Sequence, residues 1–251
     1  MKFVVIIPAR YASSRFPGKP LADLCGKPMV VHVAERARAS GAADVVVATD
    51  HAGIAKTVSL HGFSAMMTRK NHVSGTDRIA EVVARRRFRP GEIIVNVQGD
   101  EPLIEPALIR EVARTLARHR AAKMATACHP IRDARELANP NVVKVVLDRA
   151  GYALYFSRAP VPYARDAFAR GVKRIPPRLP VYRHLGVYAY RAGFLKTFTR
   201  LKPVAIERAE ALEQLRALAY GHRIAVAVTR RSPHPGVDTP ADLRRARAAL
   251  A

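Results

Sequence analysis

Short apolar runs alternate with stretches of helical periodicity along most of the chain. Residues 3–7 are all apolar and predict a buried strand that stops at Pro8. Residues 29–40 predict a helix ended by Gly41, and residues 44–49 a second strand. Residues 51–61 predict a helix ended by Gly62, and residues 92–97 a strand that closes on Gln98, Gly99 and Asp100. Val30, Val31 and the run 45–47 fit parallel strands buried on both faces with helices over them. After residue 105, Pro106 suits the first position of a helix. Leu108, Val112 and Leu116 then recur on one face, and Arg110, Arg114 and Arg118 on another. Residues 204–220 predict one continuous helix with Ile206, Leu212, Leu215 and Leu218 as its apolar face and Gly221 as its cap. A late strand over 224–229 leads to a final helix over 240–250, with Thr239 as its N-cap.

The stretch 140–203 has a different texture. VVKVVLD and YALYFSR predict two strands joined at Arg149, Ala150 and Gly151. Residues 159–183 are rich in Pro and Arg and predict loop, and HLGVYAYR predicts a further strand. The expected architecture is α/β: a single domain over 1–251, with a mostly parallel mixed sheet and helices on both faces. Residues 140–203 form a small strand-rich lobe within it, suited to covering a site or making a dimer contact.

Composition narrows the classes. A chain of 251 residues with 49% hydrophobic positions can bury a full core. No apolar run approaches the roughly 18–20 residues of a membrane span. Residues 3–7 also fall short of the roughly 7–15 residues of a signal-peptide core, so the expected location is the cytoplasm. Cys25 and Cys128 are far apart and suit neither a disulfide framework nor a zinc site. The 43 Lys and Arg against 20 Asp and Glu give a net charge of +23 and raise nucleic-acid binding. The distribution argues against it: the arginine clusters at 85–89, 230–231 and 244–245 are short, scattered and lack interleaved aromatics. The same charge would steer small anions inward.

The stretch following the first strand carries Arg10, Arg15 and Lys19 with Ser13, Ser14 and Gly18 between them. In open α/β sheets ligands sit at the carboxyl ends of strands, and small-residue loops with nearby cations hold anions. A triphosphate suits this loop, although it is neither GxxxxGK[ST] nor GxGxxG. A magnesium ion would then call for one or two carboxylates. Asp100 in QGDEP and Asp238 in GVDTPADL both sit at strand exits. For Asp238 a helix-cap role competes. Asp50 is either a site residue or a polar strand end. Ser74, Gly75, Thr76, Asp77 and Arg78 either face a base or ribose or begin the helix that carries Ile79, Val82 and Val83.

Taken in order, PARYASSRFPGKPL, ATDH, SGTDR, NVQGDEPLI, NPNVVKVVLD, YALYFSR, RHLGVYAYR, LEQLRALAYG and GVDTPADL resemble the 3-deoxy-D-manno-octulosonate (Kdo) cytidylyltransferases. The resemblance covers nearly the whole chain. PAR…S…GK is shared with sialic-acid cytidylyltransferases, whereas RFPGKPL, YFSR, RHLGVYAYR and LEQLR favour the Kdo branch. The resemblance implies CMP transfer from CTP to Kdo with release of pyrophosphate, in service of lipopolysaccharide core synthesis. It implies a Rossmann-like nucleotide-diphosphosugar-transferase fold, magnesium as cofactor, and a homodimer built through the strand-rich lobe. By motif match, Arg10, Arg15 and Lys19 bind the triphosphate, and Ser74, Gly75, Thr76 and Gln98 line the cytidine side. Asp100 and Asp238 hold magnesium. Arg158, His184, Tyr188, Glu213 and Gln214 face the sugar acid, with Arg158 suited to its carboxylate. Asp100, Asp238, Lys19 and Arg10 form the expected catalytic set.

The chain departs from that pattern at Asp77, where the family has Glu, and in 163–181, which matches no family motif. Two further readings stand beside the first. One is a cytidylyltransferase for a related acid sugar, such as sialic acid or an amino-Kdo. The other, from a different class, is a basic nucleic-acid-binding protein.

Overall fold

A computed structural model of the chain describes residues 1–12, 16–230 and 236–250. It opens with β1 (Phe3–Ala9), a two-stranded ribbon of β2 (Asp23–Leu24) and β3 (Lys27–Pro28), α1 (Met29–Ala39), β4 (Asp44–Thr49) and α2 (Ala52–Leu60). There follow β5 (Ser64–Met67), α3 (Gly75–Arg85), β6 (Ile93–Asn96), α4 (Pro106–Arg118), β7 (Met124–Pro130) and α5 (Ala134–Ala138). The chain continues through β8 (Lys144–Leu147), β9 (Ala153–Ser157), β10 (Tyr182–Arg191) and α6 (Ala192–Phe198). It ends with α7 (Ala205–Glu210), α8 (Gln214–Ala219), β11 (Ile224–Val228) and α9 (Pro240–Leu250).

Among the described residues, the main sheet runs β11-β7-β10-β6-β1-β4-β5, with β8 on β10 and β9 on β8. Side chains alternate along a strand, so Phe3, Val5, Ile7 and Ala9 face one layer and Ile6 the other. The first layer is α1, α2 and α4, packed through Val30, Ile54 and Val112. The second is α3, α6 and α8, packed through Ile79, Leu195 and Leu215. Each fully buried Val, Leu or Ile contributes roughly 1.5–3 kcal/mol, and both faces of β1 are dry. The expected α/β layering is therefore present. No helix among the described residues is long and apolar enough to cross a membrane.

Three local differences from the sequence reading matter for the site. First, β1 runs through Pro8 to Ala9. A proline interrupts a central strand because it cannot donate to the ladder. Here β6 pairs with β1 only as far as Ile6–Asn96, so beyond that point β4 is the sole strand neighbour of β1 among the described residues. The gap opened there is the mouth of the cleft described below.

Second, residues 140–203 do not form a unit apart from the sheet. β10 lies in its middle, antiparallel to both β6 and β7, while β8 and β9 extend outward from it. HLGVYAYR reads as strand but cannot show by itself which strands it joins.

Third, the helix expected over 204–220 is two helices, because Ala211 is left-handed at φ 51. The strands β5 and β7 carried no clear signal. SAMM is too short, and MATACHP consists largely of small residues.

Candidate active site

A cleft of about 280 Å³ opens at the carboxyl ends of β1 and β6. Arg10, Lys19, Ser74, Gly75, Gln98, Asp100 and Asp238 all line it, with Pro8, Arg78 and Gly99. Seven of the residues expected around the nucleotide and metal thus converge from four separate segments. Arg15 lies outside the described residues. The backbone comes very close here: a Cβ on Gly99 would sit 2.9 Å from the Pro8 carbonyl oxygen, and one on Gly75 3.3 Å from Pro8 Cγ. Only glycine lets these two loops approach β1 so closely.

Lys19 begins a single 3₁₀ turn whose cap, Gly18, is left-handed at φ 69. The Gly18 N–H donates to the Tyr11 carbonyl at 3.1 Å, folding the loop back on the end of β1. Tyr11 in turn stacks on His51, with ring centroids 4.1 Å apart. This places Lys19 Nζ 2.7 Å from Asp100 Oδ2 and 3.2 Å from Asp238 Oδ1. The two aspartates are far apart in sequence yet share one cation. The competing helix-cap role of Asp238 falls to other residues. Thr239 Oγ1 accepts from the Asp242 N–H, and the Asp242 carboxylate accepts from the Asp238 and Thr239 N–H groups. Those bonds, the Thr239 hydroxyl foremost, hold the Asp242 carboxyl below its usual range. The Asp238 side chain is left to face the cleft. Next to Asp100, burial pushes the Glu101 carboxyl up to about 7, the neighbouring Asp100 charge adds to it, and Arg183 opposes.

The segment SGTDR is both helix start and cleft wall. Ser74 and Asp77 form a capping box on α3, with Asp in the place that Glu or Gln usually takes in such a box. Arg78 is buried and donates to Asp50 Oδ2 at 2.8 Å and to Thr68 Oγ1 at 2.5 Å. Asp50 is thereby a partner of Arg78 and not a wall of the cleft. Thr76 turns away from the cleft, is 3% exposed, and donates to Glu213 Oε2 at 2.8 Å.

The residues expected to face a sugar acid lie on the other side of β6. His184 and Tyr188 sit on β10, where the pairing with β7 slips between Leu185 and Tyr188. In a regular strand four residues span roughly 13 Å. The bulge takes up two of them, so both rings share a face with centroids 5.3 Å apart. Thr126 satisfies the bulge: its hydroxyl lies 3.0 Å from the Leu185 carbonyl and 2.8 Å from that of Val187. His184 Nε2 is 3.0 Å from the same hydroxyl. A hydroxyl that gives its one proton to a carbonyl accepts from the imidazole, which sets His184 as the Nε2–H tautomer. Desolvation pushes this imidazole down to about 3 and the Tyr188 phenol well up. Burial also raises the Glu213 carboxyl, against the hydrogen bonds from Thr76 and Ser74. Gln214 Nε2 is buried with no hydrogen-bond partner among the described residues.

Arg158 is held at several points. Its N–H donates to Glu210 Oε2 at 2.9 Å, Nε to the Glu210 carbonyl at 2.7 Å, and one terminal nitrogen to the Pro140 carbonyl at 3.0 Å. Lys144, fully buried, donates to the carbonyls of Asn139, Val142 and Arg158. The sequence reading missed Asn96, Thr126, Lys144 and Glu210. The polar residues of buried strands, Asn96 in IIVN and Lys144 in KVVL, were the available signal, since a buried polar group needs partners.

The family model for cytidylyltransferase matches residues 4–224. A solved structure of CMP:2-keto-3-deoxy-manno-octonic acid synthetase complexed with CTP is 43% identical. It superposes with a TM-score of 0.90, covering 100% of this chain and 98% of that one. A cytidylyltransferase from Leptospira borgpetersenii serovar Hardjo-bovis (strain JB197) shares the fold at a TM-score of 0.62 and 14% identity, over 100% of this chain and 87% of that one. With its Rossmann-like nucleotidyltransferase fold and a family match over most of its length, the chain belongs to the cytidylyltransferase family.

Proposed function

We propose that this chain transfers CMP from CTP to 3-deoxy-D-manno-octulosonate, giving CMP-Kdo and pyrophosphate. The observation that carries the reading is the full-length likeness, at 43% identity, to a CMP:2-keto-3-deoxy-manno-octonic acid synthetase complexed with CTP. The cleft supports it. Arg10 and Lys19 supply charge for a triphosphate, and Arg10 has no carboxylate partner among the described residues. On the other side, the orphaned Gln214 amide and the neutral His184 suit the hydroxyls of a sugar. Terminal guanidinium nitrogen on Arg158 remains for a carboxylate.

The donor set suits a magnesium ion. Two carboxylate oxygens, from Asp100 and Asp238, already converge on one cation, and hard oxygen donors with substrate phosphates are what that ion takes. When bound, it supplies neutralisation of phosphate charge. The chain's own residues do the rest. Arg10 and Lys19 hold the triphosphate and stabilise the leaving pyrophosphate, while Gly99 and Gly75 let the wall close on the nucleotide. The sugar-side residues orient the anomeric hydroxyl for in-line attack on the α-phosphorus. A bond from that oxygen to phosphorus forms as the α–β phosphoanhydride bond breaks, and the hydroxyl proton leaves on the pyrophosphate. Positioning and charge neutralisation carry most of such a reaction.

The same reading places the enzyme in the cytoplasm, feeding lipopolysaccharide core synthesis, as a homodimer. For the dimer, among the described residues β9 pairs only with β8 and shows Leu154 at 60% exposure. Sedimentation velocity with wild type and Leu154→Glu checks it, the expected result being a dimer weakened by the substitution.

The activity test is pyrophosphate release with CTP, magnesium and Kdo. It is run beside N-acetylneuraminate in place of Kdo, and beside ATP, GTP and UTP in place of CTP. Release with CTP and Kdo alone is expected. Release only with another acid sugar would move the sugar assignment, and none with any pair would overturn the reading.

A further inference from the structure

Thr76 resembles a cytidine contact in sequence, yet the structure buries it behind the cleft wall with its hydroxyl on Glu213 Oε2, 2.8 Å away. It is the second residue of α3, whose start, Ser74 and Gly75, lines the cleft. A Cβ on Gly75 would stand 3.3 Å from Pro8 and 3.9 Å from Gln98 Oε1. A small shift of this first turn therefore changes the space offered to a nucleotide.

Glu213 comes from the elbow between α7 and α8. The left-handed Ala211 turns the chain so that two glutamates three residues apart point to different targets. Glu210 is fixed to Ser157 Oγ at 2.6 Å and to the Arg158 N–H at 2.9 Å, while Glu213 meets Thr76. One short segment thus spans from Arg158 to the start of α3. Glu213 itself does not line the nucleotide cleft.

We propose that Thr76 and Glu213 are positioning residues that couple the two halves of the site: occupancy on the sugar side fixes Glu213, Glu213 fixes Thr76, and Thr76 sets the cleft wall for the nucleotide. The identity of the sugar rests on the function proposed above, whereas the link from Glu213 to the nucleotide cleft does not. A hydroxyl bound to the other oxygen of Glu213 narrows the conformations open to the carboxylate. The nucleotide then binds a pre-ordered turn, which is positive coupling and reciprocal by linkage.

The test is calorimetric titration of CTP, with no sugar present, into wild type, Thr76→Val, Thr76→Ser, Glu213→Ala and the double variant Thr76→Val/Glu213→Ala. Thr76→Val and Glu213→Ala are each expected to weaken CTP about tenfold, within the roughly 5–150-fold span of site coupling. The double variant should be no weaker than the worse single variant, and Thr76→Ser should stay within about twofold of wild type because it keeps the hydroxyl. Wild-type affinity in Glu213→Ala would overturn the proposal, and so would additive losses in the double variant. A merely structural role would lower the melting temperature of Thr76→Val without that non-additivity. If Thr76→Val does not fold, Glu213→Ala decides alone. A second arm titrates Kdo with and without a CTP analogue carrying a methylene between the α- and β-phosphorus. The analogue should tighten Kdo in wild type and Thr76→Ser and not in Thr76→Val. Failure of wild type to bind Kdo would count against the proposed sugar and leave the CTP arm to decide the coupling.

Discussion

The two halves of the site are built from opposite materials. On the nucleotide side the working groups are charged, partly exposed and placed at strand exits: Arg10 after β1, Asp100 after β6, Asp238 before α9, and Lys19 between the two aspartates. On the other side they are desolvated and mostly neutral. His184 is pushed down to about 3 by burial, Tyr188 is pushed up, and Gln214 Nε2 has no partner among the described residues. On the proposed function, the contrast follows from what each half would recognise. A triphosphate brings its own charge, so the cleft offers cations and stays wet enough to hold them. Hydroxyls bring only hydrogen bonds, whose discriminating strength rises when a missed partner leaves a buried group unpaired, at about 1–3 kcal/mol.

The most severe way to break this comparison is to remove a charge from the nucleotide side. Asp100→Ala should cost about 10³-fold or more in pyrophosphate release, the scale of losing a preorganised electrostatic group. Its melting temperature should stay close to wild type, because the Asp100 side chain is about a third exposed and partly exposed ion pairs contribute little to stability. Near-normal turnover would remove Asp100 from the scheme.

A smaller effect separates the halves by backbone approach. Gly99→Ala forces a Cβ to 2.9 Å from a backbone oxygen of β1, whereas a Cβ on Gly186, in the β10 bulge, meets nothing within 4 Å. Overpacking of the first kind costs typically 1–3 kcal/mol, so Gly99→Ala should destabilise by about that much and weaken CTP. Gly186→Ala should stay within about 0.5 kcal/mol of wild type. Equal behaviour in urea melts would show that close approach is not what distinguishes the cleft.

The same difference explains what could be read from the sequence. The nucleotide side was legible because each of its charged groups follows a recognisable strand, and strand exits are where ligands gather in this architecture. Pattern also gave the layers, from the unbroken apolar run in 3–7 and the fourfold spacing of Leu108, Val112 and Leu116. The sugar side was not legible from pattern. His184 and Tyr188 become neighbours through a bulge that periodicity cannot show, and Glu213 points at Thr76 because a non-glycine residue turns left-handed in the middle of an otherwise regular helical stretch. A resemblance to known sequences supplied those residues, but not Thr126, Lys144 or Glu210, which hold them in place. Lys144 left a signal, as a charged residue in a buried strand, whereas Thr126 and Glu210 act on main-chain carbonyls and amides, which leave no mark in a side-chain pattern.

Desolvation on the sugar side also has a consequence for stability. The His184 imidazole falls from its ordinary 6.5 to about 3 in the fold. Between those values the unfolded chain takes up a proton that the folded chain refuses, so stability is lost as pH falls from about 6.5 toward 3. Glu101, raised to about 7, and Glu213, also raised, hold protons in the folded chain that the unfolded chain releases, and so slope the other way over this range. The His184 share is therefore read by difference: urea-unfolding free energies measured from pH 7 to 4.5 should differ in slope between wild type and His184→Asn by about one proton. An unchanged slope would show that His184 is open to water and that this half of the site is not dry.

The gentlest probe is Ala211→Gly. A left-handed conformation costs an L-residue roughly 1–2 kcal/mol that glycine escapes, while glycine loses up to about 1 kcal/mol through the freedom it gains in the unfolded chain. The two nearly cancel, so the expected change is a stabilisation of no more than about 1 kcal/mol. Its value lies in what accompanies that small change. If the Glu210 bonds to Ser157 and Arg158 hold the elbow, as their distances of 2.6 and 2.9 Å indicate, the glycine variant keeps Glu213 against Thr76 and its CTP affinity stays at the wild-type level. If the stiffness of Ala211 itself holds the elbow, the same variant gains stability and loses affinity. A gain without loss therefore places the link between the two halves in the hydrogen bonds of the elbow, with the backbone strain as its side effect. A gain with loss would make the strain at Ala211 part of how the sugar side reaches the nucleotide.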